Sequence, residues 1–117
     1  MSDAVAEIVV GETRVDFIAP IVDENGVAVN ITGSTFALQG TSDDLPAKTI
    51  NVAGAILDGA LGLAKWAGIG DSATYVSVAD LGSKARARFK LRVKWTDSAG
   101  KVDFGDEMLW DWVEPPI

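Results

Sequence analysis

The side chains of this 117-residue chain that could do chemistry are carboxylates, cations and tryptophans, because it contains neither His nor Cys. Without His there is no imidazole general base, no His-dependent triad and no usual transition-metal ligand. Without Cys there is no thiolate nucleophile and no disulfide framework, which fits synthesis in a reducing cytoplasm. Adjacent carboxylates stand at Asp23-Glu24, Asp43-Asp44 and Asp106-Glu107. Such pairs could flank a glycosidic bond or donate oxygens to Ca²⁺, which needs about six to eight converging ligands. No EF-hand spacing is present, however, and acids beside Asn and Gly are ordinary turn chemistry. Gly59-Ala60-Leu61-Gly62 lacks the Gly-Lys-Ser/Thr ending of a phosphate loop. No nucleophile, base and oxyanion set can be assembled from these residues, so the sequence predicts a protein that is not an enzyme and holds no cofactor or metal. Trp66, Trp110 and Trp112 could form a sugar-stacking platform, the basis of an alternative reading as a carbohydrate-binding or adhesion module. Trp110 and Trp112 share parity at the end of a strand, which reads as sandwich core.

The cations carry the strongest pattern. Six of the ten Lys and Arg residues occupy the even positions of Lys84–Trp95, and the odd positions are all apolar. Period two is a β-strand with one dry and one wet face. Asp97-Ser98-Ala99-Gly100 supplies a turn, and Lys101–Trp112 supplies a partner strand. Pairing Thr96 with Lys101 sets Lys94 opposite Asp103, Lys90 opposite Glu107 and Arg86 opposite Asp111. It also sets Phe89 opposite Met108 and Ala87 opposite Trp110. Gly105-Asp106 fits this register poorly and reads as a bulge or edge site. Arg88 and Arg92 are left without an acidic cross-strand neighbour. Together with Trp66 they are the candidate protein-contact residues. A phosphate-binding row needs net positive charge, whereas this chain carries −7 and its partner strand is acidic. No nucleic-acid partner is expected.

The elements that position these residues are short and separated by turns. Strand patterns occur at Ala6–Val10, Arg14–Val22, Ser34–Gln39, Thr49–Val52, Ile56-Leu57 and Leu63–Trp66. Asp23-Glu24-Asn25-Gly26 is a hairpin turn into Val27–Val29. Pro20 places its strand at an edge. Gly residues through Ala53–Gly70 weigh against a helix there. Asp71–Asp80 holds a helical turn or a strand. Residues 1–117 read as one domain, an all-β antiparallel immunoglobulin-like sandwich, with a small barrel as alternative. No apolar run reaches the ~18 residues of a membrane helix, and Met1–Glu7 lacks a basic n-region, so neither a membrane partner nor a signal peptide is expected. The edge candidates for assembly are the Arg14–Val22 strand and the Lys84–Thr96 hairpin. The charge-poor segment Ala53–Ile69 is a further contact candidate.

Several segments carry a resemblance: Val22-Asp23-Glu24-Asn25-Gly26 through Asn30-Ile31-Thr32-Gly33, then Asp58-Gly59 to Trp66, Gly82 before the long strand, Asp97–Lys101 and Val113-Glu114-Pro115-Pro116. In this order they resemble small immunoglobulin-like modules of tailed-phage virions and are similar to the N-terminal domain of siphophage upper baseplate proteins. The chain departs from that family at Ala85 and Ala87, where a Tyr is usual. The resemblance implies a structural protein of the tail, baseplate or capsid, made in the host cytoplasm and located in the virion. It implies other virion proteins as partners and several copies or a homo-oligomer in a symmetric particle. It implies no catalytic residues.

Overall fold

The computed structural model describes residues 5–116. The strands in chain order are β1 (Val5–Val9), β2 (Phe17–Pro20), β3 (Thr35–Thr41), β4 (Thr49–Ala53), β5 (Ala55–Asp58), β6 (Leu63–Trp66), β7 (Arg86–Thr96), β8 (Val102–Phe104) and β9 (Met108–Val113), with one helical turn, α1 (Val78–Leu81), before β7. They form two separate sheets, a β-sandwich and not a closed barrel. The large sheet runs β1-β9-β7-β3-β4, with β8 also on β7, and the small sheet runs β2-β6-β5.

Alternation builds the interior. Along β7 the odd residues Ala87, Phe89, Leu91 and Val93 are buried while the even cations from Arg86 to Arg92 are exposed. Phe36 and Leu38 of β3, Ile50 of β4, and Trp110 and Trp112 of β9 complete the large sheet's inner face. Ala19, Ala64 and Trp66 face them from the small sheet. Trp112 stacks on Tyr75 at 6.1 Å between ring centroids, meets Phe89 edge-on at 5.3 Å, and donates its indole N–H to the Ile69 carbonyl at 3.0 Å. A buried indole needs such an acceptor.

The chain passes from the large sheet to the small one through a single residue, Gly54, between β4 and β5. A Cβ at Gly54 would lie 2.6 Å from Cε2 of Trp66, so only Gly lets the indole close over this corner. Trp66 then ties the sheets together. It donates to the Val52 carbonyl at 2.8 Å, stacks on Phe17 at 5.6 Å and meets Phe36 edge-on at 6.4 Å. The helical turn is fixed by a capping box, in which the Ser77 hydroxyl accepts from Asp80 N and the Asp80 carboxylate accepts from Ser77 N.

Three expectations are corrected. First, β1 lies parallel to β9, with Glu7 beside Asp111; parallel pairing of the chain's two ends requires long-range closure that local patterning does not encode. Second, the edge expected of the Lys84–Thr96 hairpin belongs only to its β8 arm, because β7 is held between β9 and β3 and β8 pairs with β7 alone among the described residues. Third, the hairpin register shifts. Asp97 N donates to the Lys101 carbonyl, and Asp97 Oδ1 accepts from Ala99 N and Lys101 N, all at 2.9 Å. This Asx turn closes on Ser98-Ala99-Gly100, with Gly100 at φ 85°. The loop is one residue shorter than expected, so Thr96 faces Val102 and Lys94 faces Phe104, with Trp95 opposite Asp103. The extra residue at Gly105–Glu107 then adds a second step, so Leu91 faces Met108, Phe89 faces Trp110, Ala87 faces Trp112 and Arg88 faces Asp111. Two single-residue shifts restore the original parity, which is why both tryptophans still point inward.

The Gly54 corner generates the first expected outcome. Gly54→Ala forces the Trp66 ring off its seat and destabilises the fold by roughly 1–3 kcal/mol, as overpacking does. Chemical denaturation measures it; an unchanged midpoint would mean that the corner does not depend on the glycine.

Candidate functional site: the cationic face of the large sheet

The outward residues of β7 divide into two groups. Arg86 and Arg88 enclose Asp111 of β9, whose side chain is only 1% exposed. Arg88 donates Nε to Oδ1 at 2.8 Å and Nη2 to Oδ2 at 3.2 Å, and Arg86 adds Nη1 to Oδ2 at 3.2 Å. The two-nitrogen fork of Arg88 matches a carboxylate's geometry. Arg86 also pairs with Glu7 of β1 at 3.0 Å, and the Arg88 backbone N–H donates to Asp44 at 2.9 Å. Asp44, Arg86, Arg88 and Asp111 line a cleft of about 430 Å³ with Asp43 and Lys90. The Arg88 hydrogen bond holds the Asp111 carboxyl below the usual carboxylate range, against the opposing pull of burial, and Arg86 adds to the lowering. The same contact raises the Arg88 guanidinium.

The second group is Lys90, Arg92 and Lys94. Lys90 lies between Leu109 and Thr41, Arg92 is opposite Gln39, and Lys94 lies between Phe104 and Ala37. No salt bridge to any of the three occurs among the described residues. β3 and β4 extend the strip with neutral polar groups. Gln39 Nε2 donates to Asn51 Oδ1 at 3.2 Å, and Thr41 faces Thr49. A shallow hollow of about 460 Å³ includes Gln39, Asn51, Lys90, Arg92 and the half-exposed ring of Phe104. Its chemistry is ion pairing and hydrogen bonding to carboxylates, with an aromatic edge for apolar contact.

Of the candidate contact residues, Arg92 is exposed on this strip. Arg88 is on the same face but has an acidic cross-strand neighbour after all, Asp111, because the bulge moved the register. Trp66 is 1% exposed, so its ring offers no surface to a partner; that expectation is corrected by the Gly54 corner, which draws the ring inside. Trp110 and Trp112 are 5% and 0% exposed and cannot serve as a sugar platform in the folded chain. The acidic pairs stay apart in function. Asp23 caps the Asn25 and Val27 amides, Asp44 binds the Arg88 amide, and Asp106 lies in the bulge. Among the described residues no three His, Cys, Asp or Glu side chains gather where a metal ion would sit, and no helix is long and apolar enough to cross a membrane. Sequence reasoning missed the Gln39 and Asn51 amides. Each stood in an expected strand, but their position beside one another and beside Arg92 required the β3–β4 and β3–β7 pairings. Comparison with protein-family models and with curated proteins gives no match.

Two outcomes follow from this geometry. Asp111→Asn weakens the charge-assisted bonds and costs roughly 1–3 kcal/mol, reduced from a fully buried pair because both arginines reach solvent. Since the folded carboxyl titrates below its unfolded value, its contribution is complete above about pH 3.8 and is lost as pH falls through the lower folded value. Acid titration of stability should therefore be shallower in Asp111→Asn; identical acid limbs would remove Asp111 from the account. Charge reversal separates the two groups: Arg88→Glu sets a carboxylate against Asp111 and prevents stable folding, whereas Arg92→Glu changes stability by no more than about 0.5 kcal/mol. Circular dichroism during urea titration distinguishes them.

Proposed function

We propose that this chain is a non-enzymatic structural protein of a phage virion that acts by protein–protein assembly, with the Lys90, Arg92 and Lys94 strip docking on an acidic surface of another virion protein. The observation that carries the docking mode is the strip itself. Three outward cations lack a salt bridge among the described residues, in a chain whose net charge is −7. A local positive face on an acidic body orients it toward an acidic partner and disfavours approach by its acidic sides. The net charge works against a nucleic acid, whose backbone is a dense line of phosphate charges. The virion setting and the immunoglobulin-like affiliation rest on the resemblance of the Val22–Gly33, Asp58–Trp66 and Asp97–Lys101 segments to phage modules, which also supports a place in the tail, baseplate or capsid in several symmetric copies. The burial of Trp66, Trp110 and Trp112 removes the residues on which a carbohydrate-binding reading rested.

Mass spectrometry of purified virions tests the setting: the protein is expected in the particles, and its absence would overturn the reading. The docking mode is tested separately. A folded Lys90→Glu/Arg92→Glu/Lys94→Glu variant is expected to be lost from particles, and its undiminished incorporation would remove the strip from assembly.

A further inference from the structure

The opposite side of the β7–β8 ribbon carries a second surface. The shortened turn sets Trp95 opposite Asp103, so β8 turns Asp103 toward the space between the sheets. Asp103 is nevertheless exposed, because the sandwich is open at this end. A hollow of about 310 Å³ lies there, with Ile21, Val22, Val93 and Trp95 as apolar lining and Asp103 and Asp106 as acids. Val22 is 51% exposed at its margin. Neither acid has a salt bridge among the described residues. The edge of β8 away from β7 carries no strand among the described residues. Gly105 N donates to the Val93 carbonyl at 2.9 Å. By antiparallel alternation, the Val102 and Phe104 amides then point to the open edge. The Phe104 N–H is held there only by the carboxylate of its own neighbour, Asp103, at 2.9 Å.

We propose that this edge and hollow bind an extended segment of a partner protein by strand addition to β8, a segment whose inward-facing positions carry an apolar and a basic side chain two residues apart. An incoming carbonyl takes the Phe104 N–H. Asp103, released from that bond, pairs with a Lys or Arg of the segment, as does Asp106. The apolar side chain two residues along the segment, on the same face as that Lys or Arg, enters the hollow over Val93 and Trp95. Backbone bonds supply attachment, and the side-chain pockets supply selectivity. The charge of the rim selects the occupant, since an acidic segment meets two unpaired carboxylates. This surface is distinct from the cationic strip, and its occupation does not depend on the virion setting.

The probe is a blocked synthetic peptide of the repeat Val-Thr-Lys-Thr, whose Val and Lys side chains share one face, added to the full chain. Two control peptides replace either Lys by Glu or Val by Ser. Trp95 is the partly exposed tryptophan, the other three being buried, so fluorescence and amide NMR shifts at 102–106 report binding. The Val-Lys peptide is expected to shift both signals, and both controls are expected to bind more weakly. Asp103→Asn/Asp106→Asn weakens it by about tenfold at low salt, the order expected for two partly exposed ion pairs. A side chain at Gly105 has room, since its Cβ would lie 3.8 Å from the nearest neighbour, the Val93 carbonyl oxygen. Gly105→Leu therefore blocks the hollow without unfolding the protein, and it abolishes binding. Arg92→Glu leaves binding intact. Equal binding of the Ser control, binding that survives Gly105→Leu, or shifts confined to other residues would each overturn the proposal. Self-association of the chain that Gly105→Leu abolishes would assign the groove to a second copy and overturn the partner claimed here.

Discussion

The structure depends on one constraint: β7 must keep one face dry and the other wet over eleven residues. Its inner side chains supply the centre of the core, and neighbouring strands are placed so that Ala87, Phe89, Leu91 and Val93 lose water. Each such burial stabilises by an amount that grows with apolar area, about 25 cal/mol per Å². No single ion pair on the outer face approaches that sum. The charges instead decide which alignments are tolerated.

Asp111 shows how that works. It is a carboxylate with 1% exposure between two inward tryptophans, a position that would be costly if unpaired. Arg86 and Arg88 make it affordable by covering it from the wet face and filling its acceptor sites. The cost of burying the acid and the benefit of burying Trp110 and Trp112 belong to the same strand, so neither can slip without the other. The bulge at Gly105–Glu107 is the joint that brings this triad into line.

That joint also divides the cation row. Arg86 and Arg88 are consumed by folding, while Lys90, Arg92 and Lys94 face neutral side chains and are left to solvent or a partner. On the reverse of the same ribbon the shortened Asp97–Lys101 turn sets Asp103 toward an open apolar hollow. The two candidate surfaces are therefore consequences of two local irregularities, the Asx turn and the bulge. Their opposite charges make them suited to different partners.

Legible in the sequence were the all-β class, the facing of β7, the turns at Asp23–Gly26 and Asp97–Gly100, the edge position of the Pro20 strand, and the two strands that flank the Asp58-Gly59 turn. These follow from period-two alternation and turn chemistry, which act over a few residues. Tertiary structure alone decided the rest. The register of β8 and β9 depended on an Asx turn and a bulge, each worth one residue, and alternation cannot count such steps because two of them restore parity. The parallel pairing of β1 with β9 joins the chain's ends, and no local pattern encodes it. Trp66 read as a contact residue because the apolar, Gly-rich segment Ala53–Ile69 carries few charges; it is buried because Gly54 lets the chain fold over its ring. Arg88 and Arg92 were equivalent in sequence, two cations on one face. Only the position of Asp111 after the bulge made the first a part of the fold and left the second exposed.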